Sequence, residues 1–414
     1  MAIETSVPAP EPGLSGRTLR GPLAFAIACF LIWGLAYGLL DVLNKHFQET
    51  LHVGKAQSAW LQMAYFGAYL LMSLPAGFLL QARGYKAGIT FGLGLTAFGA
   101  LLFIPSAQAA SFPLFVGSMF VLASGLCFLE TAADTYVNVL GPPEHAPRRL
   151  NLAQSFNALG VFFGPLIGGS FFFSRSVAGA VGGEQRAVQL VYLCIAVAVL
   201  LFAAVVSRVH LPELAHPAPP ATAGGPRSLW RRRRFVLGVI TQALYIGAQV
   251  GIGAYFINLV TETWPGLTSQ MGAFLLSIAT VGYLVGRFAT TGLLLAFRPR
   301  VVLTTYGVIN VLLCLVVAAG IEKVSAIALI ASFFFMSTMF ATIFTLGVAD
   351  LGDSGKRASS IMVMAIGGGV LLPWPMGRIA ELYGTPAAFL LPAACFAVVA
   401  LYGWKGAAPE GEPA

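Results

Sequence analysis

Apolar stretches of twenty or more residues recur along the whole chain, separated by short polar or proline-bearing breaks. Twelve can be counted, at about 21–46, 57–81, 86–106, 112–139, 149–174, 187–209, 234–260, 268–294, 299–320, 324–349, 357–379 and 385–405. Crossing a hydrocarbon core of about 30 Å takes roughly 20 helical residues, so each stretch predicts a transmembrane helix. Barrel strands would instead alternate apolar and polar positions over about ten residues. The pattern fails between the sixth and seventh stretches, where Pro212, Pro217, Pro219, Pro220 and Pro226 precede the run Arg231–Arg234. Such a segment reads as a linker. The expected organisation is a tail over 1–20, a six-helix half over 21–209, a linker over 210–233, a second half over 234–405 and a tail over 406–414.

Composition agrees. Only 10% of the 414 residues are charged and 57% are hydrophobic, with a mean hydropathy of +0.82. A soluble domain usually carries about 25% charged residues, so this chain reads as an integral, all-α membrane protein. The net charge of +8 does not point to nucleic acid, because the basic residues gather at the ends of the spans. Placing both termini in the cytoplasm puts seventeen of the 24 basic residues on that side, Arg231–Arg234 among them. Five remain outside (Lys45, Lys55, Arg175, Arg186 and Lys323), and Arg287 and Arg378 fall within spans. That bias sets the expected topology. The first twenty residues, with Arg17 and Arg20, are too polar to be the apolar region of a cleavable signal. The five cysteines all lie in apolar runs without a CxxC spacing and read as small core residues, neither disulfides nor metal ligands.

Polar residues inside the spans carry the candidate chemistry. The stretch 122–157 holds two carboxylates, Glu130 and Asp134, and then two amides, Gln154 and Asn157. An ionised Asp at mid-bilayer costs about 2.5–3.5 kcal/mol, so such groups usually mark a pathway or a proton relay. Asp134 follows Glu130 by four residues, and like charges at that spacing disfavour double ionisation. It either shares a proton with Glu130 or pairs with a cation, Arg287 or a sodium ion. Asp41 lies toward the far end of the first span, with Asn44 on the same face. Gln57, Gln62, Tyr65 and Tyr69 mark the second span, and Gln242, Tyr245, Gln249, Tyr255 and Asn258 the seventh. Some of these only join helices, through hydrogen bonds worth about 0.6 kcal/mol on average. Amides also offer a donor and an acceptor on one side chain, which suits a neutral polyol. Trp33, Tyr37, Phe156 and Trp374 are candidate stacking rings. Arg287 either snorkels to the interface or pairs with a carboxylate. The glycines of AIGGGVLLPWPMG (365–377), with Pro373 and Pro375, loosen the eleventh span and suit it to bending during alternating access.

Six spans, a basic linker and six spans is the layout of the major facilitator superfamily. Small residues before a basic turn recur at matching places, in PAGFLLQARGYKAGI (75–89) and GRFATTGLLLAFRPRVVL (286–303). Together LASGLCFLETAAD (122–134), RRLNLAQSFN (148–157), YIGAQ (245–249), ATIFTLGVADLG (341–352) and IMVMAIGGG (361–369) resemble the fucose/glucose–galactose:proton symporter family within it. The resemblance implies twelve helices and proton-driven uptake of a hexose or deoxyhexose across a bacterial inner membrane. It implies proton-linked roles for Asp41 and Glu130 and sugar-facing roles for Gln154, Asn157 and Gln249. Tyr37, Tyr65 and Asn44 join the expected binding set, and Asp134 the proton-coupling set. The chain departs from the family pattern at Leu40, Asp134, Thr135 and Ala341. Retention of Glu130 is more like the fucose branch. A sodium-coupled or uncoupled carrier is the alternative. With no HExxH and no GxSxG, an enzyme is not expected, nor a cofactor, a metal or a nucleic-acid partner. A monomer in the bilayer, taking a small neutral sugar and a proton, is the expectation.

Overall fold

The computed structural model describes residues 20–140, 146–174, 176–177, 179, 183–209, 229–349, 351 and 355–406. All but residues 20 and 406 of the expected tails (1–20 and 406–414), the prolines of the linker and the turn at 141–145 lie outside the described residues.

Among the described residues all the regular secondary structure is helical. Eleven of their helices are long and apolar enough to cross a membrane. One of these runs from Lys55 to Gln108, 54 residues. At 1.5 Å per residue that is about 81 Å of helix, far more than one crossing needs. Gly84 resolves the excess, because its φ of 80° and ψ of 179° are not helical. A side chain there would strain the left-handed backbone, and glycine takes it without penalty. Gly84 thus divides Trp60–Gln108 into α2 (60–83) and α3 (85–108), giving twelve crossings.

The others are α1 (Arg20–Thr50), α4 (Phe112–Val139), α5 (Ala146–Phe172), α6 (Glu184–Arg208), α7 (Arg233–Thr263), α8 (Ser269–Ala296) and α9 (Pro299–Ala318). Three further crossings are interrupted. α10 comprises Glu322–Met336 and Met339–Val348. α11 comprises Gly355–Met364 and Pro373–Tyr383, with a 3₁₀ stretch at Ala365–Val370 between them. Its three consecutive glycines, and the prolines that begin the next piece, break the helix where the sequence predicted loosening. α12 comprises Thr385–Ala388 and Leu390–Leu401 and ends in a π turn, Tyr402–Gly406.

Helix pairing repeats between the two sets of six. α1 packs on α5 as α7 packs on α11, α3 on α4 as α9 on α10, and α3 on α6 as α9 on α12. A parallel internal repeat produces this recurrence. Lipid offers no hydrophobic incentive for helices to associate, so close packing between small residues must supply it. The α1–α5 crossing shows how. Gly34 and Gly38 face Gly160 and Gly164, with Gly168 against Val42 and Leu39, and a methyl at Gly34 would overlap the Asn157 carbonyl while one at Gly164 would overlap the Gly38 backbone. The sets meet through α1 with α7, α2 with α11 and α5 with α8.

Candidate functional site

On α1, Trp33, Tyr37, Asp41 and Asn44 follow at helical spacing along one face. On α2, Gln62, Tyr65 and Tyr69 do the same. The two faces meet. Trp33 Nε1 donates to Tyr65 Oη at 3.2 Å. The Tyr37 ring lies 5.9 Å from that of Tyr65 and 6.2 Å from that of Phe66. Tyr65 stacks on Tyr69, with centroids 5.3 Å apart and planes at 25°. The result is a wall of rings. Asp41 is half-buried beside it, with Gln62 Nε2 at 3.5 Å from Oδ1, a long contact. Across the seam, Asp41 presses on Gly253 of α7, where a methyl would meet the carboxylate.

Glu130 and Asp134 are half-buried on α4. Glu130 lies within electrostatic reach of Tyr65, Tyr69, Cys127 and Asp134. Its Oε2 is buried without a hydrogen-bond partner, and so is Tyr69 Oη. Buried polar atoms are seldom left so, which makes this pair the conspicuous feature of the N-terminal set. Thr131 and Thr135 flank the carboxylates, but their hydroxyls turn back onto the carbonyls of Cys127 and Thr131 at 2.8 and 2.7 Å.

α5 adds Gln154 and Asn157, both half-buried. Asn157 Nδ2 reaches the Phe30 carbonyl at 3.4 Å, a weak tie that leaves the amide room to engage a ligand. α7 brings Gln249, half-buried, and Tyr245, whose hydroxyl donates to the Met336 carbonyl at 2.8 Å. Arg287 of α8 lies with its guanidinium 5.5 Å from the centre of the Tyr283 ring and within electrostatic reach of Tyr245. Tyr37 is in electrostatic reach of both Asp41 and Tyr283, so the two halves converge around these phenols. Of the remaining stacking candidates, Phe156 and Trp374 are exposed.

Asn44, placed with the binding residues from sequence, is fully buried at the seam between the halves. Its Nδ2 donates to the Ala254 carbonyl at 3.0 Å and its Oδ1 accepts from Gln48 at 3.2 Å. It belongs to a polar seam that sequence reasoning missed. Asn258 Nδ2 donates to Gln48 Oε1 at 2.6 Å. Lys55 Nζ donates to Glu262 Oε1 at 2.6 Å and to Thr385 Oγ1 at 2.7 Å. The Ala56 N–H donates to Glu381 Oε1 at 2.9 Å, and Ser269 Oγ to Glu49 Oε1 at 2.5 Å. The Tyr255 hydroxyl reaches the carbonyls of Lys55 at 2.9 Å and Pro373 at 2.8 Å. All lie at the end where α1 finishes and α2 begins. A further hydrogen bond between the halves joins Ser277 Oγ of α8 to the Phe162 carbonyl of α5 at 3.1 Å. The halves are therefore closed together at one end. The advance signal was that Asn44, Tyr255 and Asn258 stand as polar residues within apolar spans.

Comparison of the sequence with family models agrees with this two-times-six architecture. Residues 24–372 fit the model described as Major Facilitator Superfamily. The chain belongs to the Major Facilitator Superfamily. It is a multi-pass membrane transporter. A glucose/galactose transporter of Brucella abortus biovar 1 (strain 9-941) is 33% identical over 409 residues, covering 98% of this chain and 99% of the relative. The L-fucose-proton symporter of Escherichia coli (strain K12) is 36% identical over 412 residues, covering 94% of each. A crystal structure of the E. coli fucose:proton symporter superposes with a TM-score of 0.67 at 34% identity, over 94% of this chain and 99% of that one. These relatives are transporters, in keeping with the non-enzymatic reading of the sequence.

Proposed function

We propose that this transporter is a sugar:proton symporter, taking up a neutral hexose or deoxyhexose by alternating access across a bacterial inner membrane. The observation that carries the reading is Glu130, a carboxylate inside an apolar bundle with a buried, unpartnered oxygen, set beside a wall of phenols. A group so placed has no cheap structural role and is suited to loading and releasing a proton. Asp41 is the second proton-linked carboxylate, pressed against the opposite half. Protonation neutralises both and lowers the cost of burying them as the halves close. Gln154 and Asn157 on one half, and Gln249 on the other, engage the sugar's hydroxyls, with Tyr37 and Tyr65 as its aromatic face. The names of the bacterial relatives, glucose/galactose transporters and L-fucose-proton symporters, support this substrate class.

Both termini are assigned to the cytoplasm on the seventeen-to-five distribution of basic residues. The polar seam then seals the periplasmic end, and this state faces inward. The driving force suffices: one charge moved through about 100 mV is worth about 2.3 kcal/mol, or roughly fiftyfold accumulation. Uptake into membrane vesicles tests the reading. Accumulation should collapse with a protonophore and need no sodium, and Glu130→Gln should abolish uphill accumulation while sugar exchange stays measurable. Sodium-dependent uptake indifferent to pH, or normal accumulation by Glu130→Gln, overturns it.

A further inference from the structure

Asp41 and Glu130 sit on different helices, α1 and α4, and α2 lies against both of them through its phenols. At the Asp41 end, Tyr37 is within electrostatic reach of the carboxylate and its ring contacts Tyr65 at 5.9 Å. In the middle, Trp33 Nε1 donates to Tyr65 Oη, which occupies an acceptor site and leaves the phenolic O–H free to donate onward. Tyr65 then stacks on Tyr69 at 5.3 Å. At the far end Tyr69 Oη and Glu130 Oε2 are both buried, neither makes a hydrogen bond of ordinary length and angle, and the phenol lies close enough to the carboxyl to become its donor. Two orphaned polar atoms facing one site are costly, and a small change of ring or carboxylate rotamer that joins them would satisfy both. Ring packing alone would be served by phenylalanine and would leave no orphaned oxygen.

We propose that Tyr37, Tyr65 and Tyr69 form a relay that passes a proton between Asp41 and Glu130, with Tyr69 as the joint that opens and closes. The step balances. The carboxylic acid O–H bond breaks as its proton bonds to the first phenol oxygen. That phenol's own proton moves on to the next oxygen, and the last phenol delivers its proton to the opposite carboxylate. Each phenol ends neutral, one proton has moved, and no electron changes hands. Neutral carriers suit a site where a separated charge would be expensive. The other titratable groups facing the relay are Cys127 and Asp134 on α4, Tyr245 on α7 and Tyr283 on α8. In this state Tyr69 and Glu130 approach without a hydrogen bond of ordinary geometry, so this joint is one that a small rotamer change would close.

This inference rests on the proton-coupled reading, and the test separates the two. The variant is Tyr69→Phe, which keeps the ring stack and removes only the hydroxyl. Purified transporter in vesicles is given a panel of hexoses and deoxyhexoses, and sugar-induced proton uptake is measured together with labelled-sugar uptake. The expected result is a fall of at least tenfold in protons moved per sugar. Tyr65→Phe, which breaks the middle of the relay, is expected to do the same. Tyr192→Phe, whose ring stacks on Phe103 at 3.7 Å outside the site, is expected to leave the ratio within twofold. A ratio within twofold of the parent in both Tyr69→Phe and Tyr65→Phe, with Glu130→Gln uncoupled, overturns the relay alone. A parental ratio in Glu130→Gln as well overturns the coupling assignment and the relay with it.

Discussion

Lys55→Ala should loosen the closed end of the transporter by a predictable amount. Lys55 Nζ holds Glu262 at 2.6 Å and Thr385 at 2.7 Å, tying the α1–α2 connection to the ends of α7 and α12. The ion pair is partly solvated, with side-chain exposures of 23% and 37%, so its worth falls to about 0.2–1 kcal/mol. The bond to the fully buried Thr385 adds about 0.5–1.5 kcal/mol. Two neighbouring ties use the main chain (the Ala56 N–H to Glu381 and the Lys55 carbonyl to Tyr255) and survive the substitution. The net change is about 1–2 kcal/mol, which is roughly 5- to 30-fold in the balance between states, at about 1.4 kcal/mol per tenfold.

A cysteine at Ala254 reports this balance, because that residue is buried on α7 at the seam and its carbonyl holds Asn44. Among native cysteines only Cys194 is exposed, so Cys194→Ser supplies a quiet background. In oriented vesicles, an impermeant maleimide added on the side where α1 ends labels the site only when the halves part. Lys55→Ala should raise the labelling rate 5- to 30-fold. Glu262→Gln added to it should contribute less than it does alone, since the two share one interaction. Lys323→Ala removes a charge at the same end but one that lies over Trp264 within its own half, and should change nothing. A rate within twofold of the parent for Lys55→Ala refutes the reasoning.

Two further expectations concern stability. Gly164→Val drives a side chain into the Gly38 and Leu39 backbone at the α1–α5 crossing, and overpacking of this kind costs about 1–3 kcal/mol, so the Tm in detergent should fall by several degrees; an unchanged Tm would mean that the helices do not approach so closely. His46 is buried among Phe47, Phe172 and Phe173 with neither ring nitrogen hydrogen-bonded, so His46→Phe should hold or raise the Tm, whereas a drop of several degrees would show a partner for the imidazole in another state.

The length of each apolar run and the cost of bare peptide groups in lipid leave only helices, and these were legible in the sequence, as was the weak point of α11 at its three glycines. So were the polar intrusions, because Glu130, Asp134 and Asp41 stand out in apolar surroundings whatever the fold. The break at Gly84 was visible as a boundary between two spans, but not as a continuous helix turned by one residue with positive φ. Tertiary structure alone decided which polar residues face one another. Asn44 and Asp41 look alike from sequence, sharing one face of α1. Yet Asn44 is consumed by the Ala254 carbonyl, 210 residues on, while Asp41 stays half-buried against Gly253 and the phenols. Lys55 meets partners 207 and 330 residues away. Tyr69 stands in the sequence as one polar position among several in the second span, and only the packing sets its oxygen beside Glu130. Burial in lipid is a one-body property, carried by each residue's own transfer free energy and so written along the chain. Pairing between halves is a two-body property over hundreds of residues, and it exists only once the helices have packed.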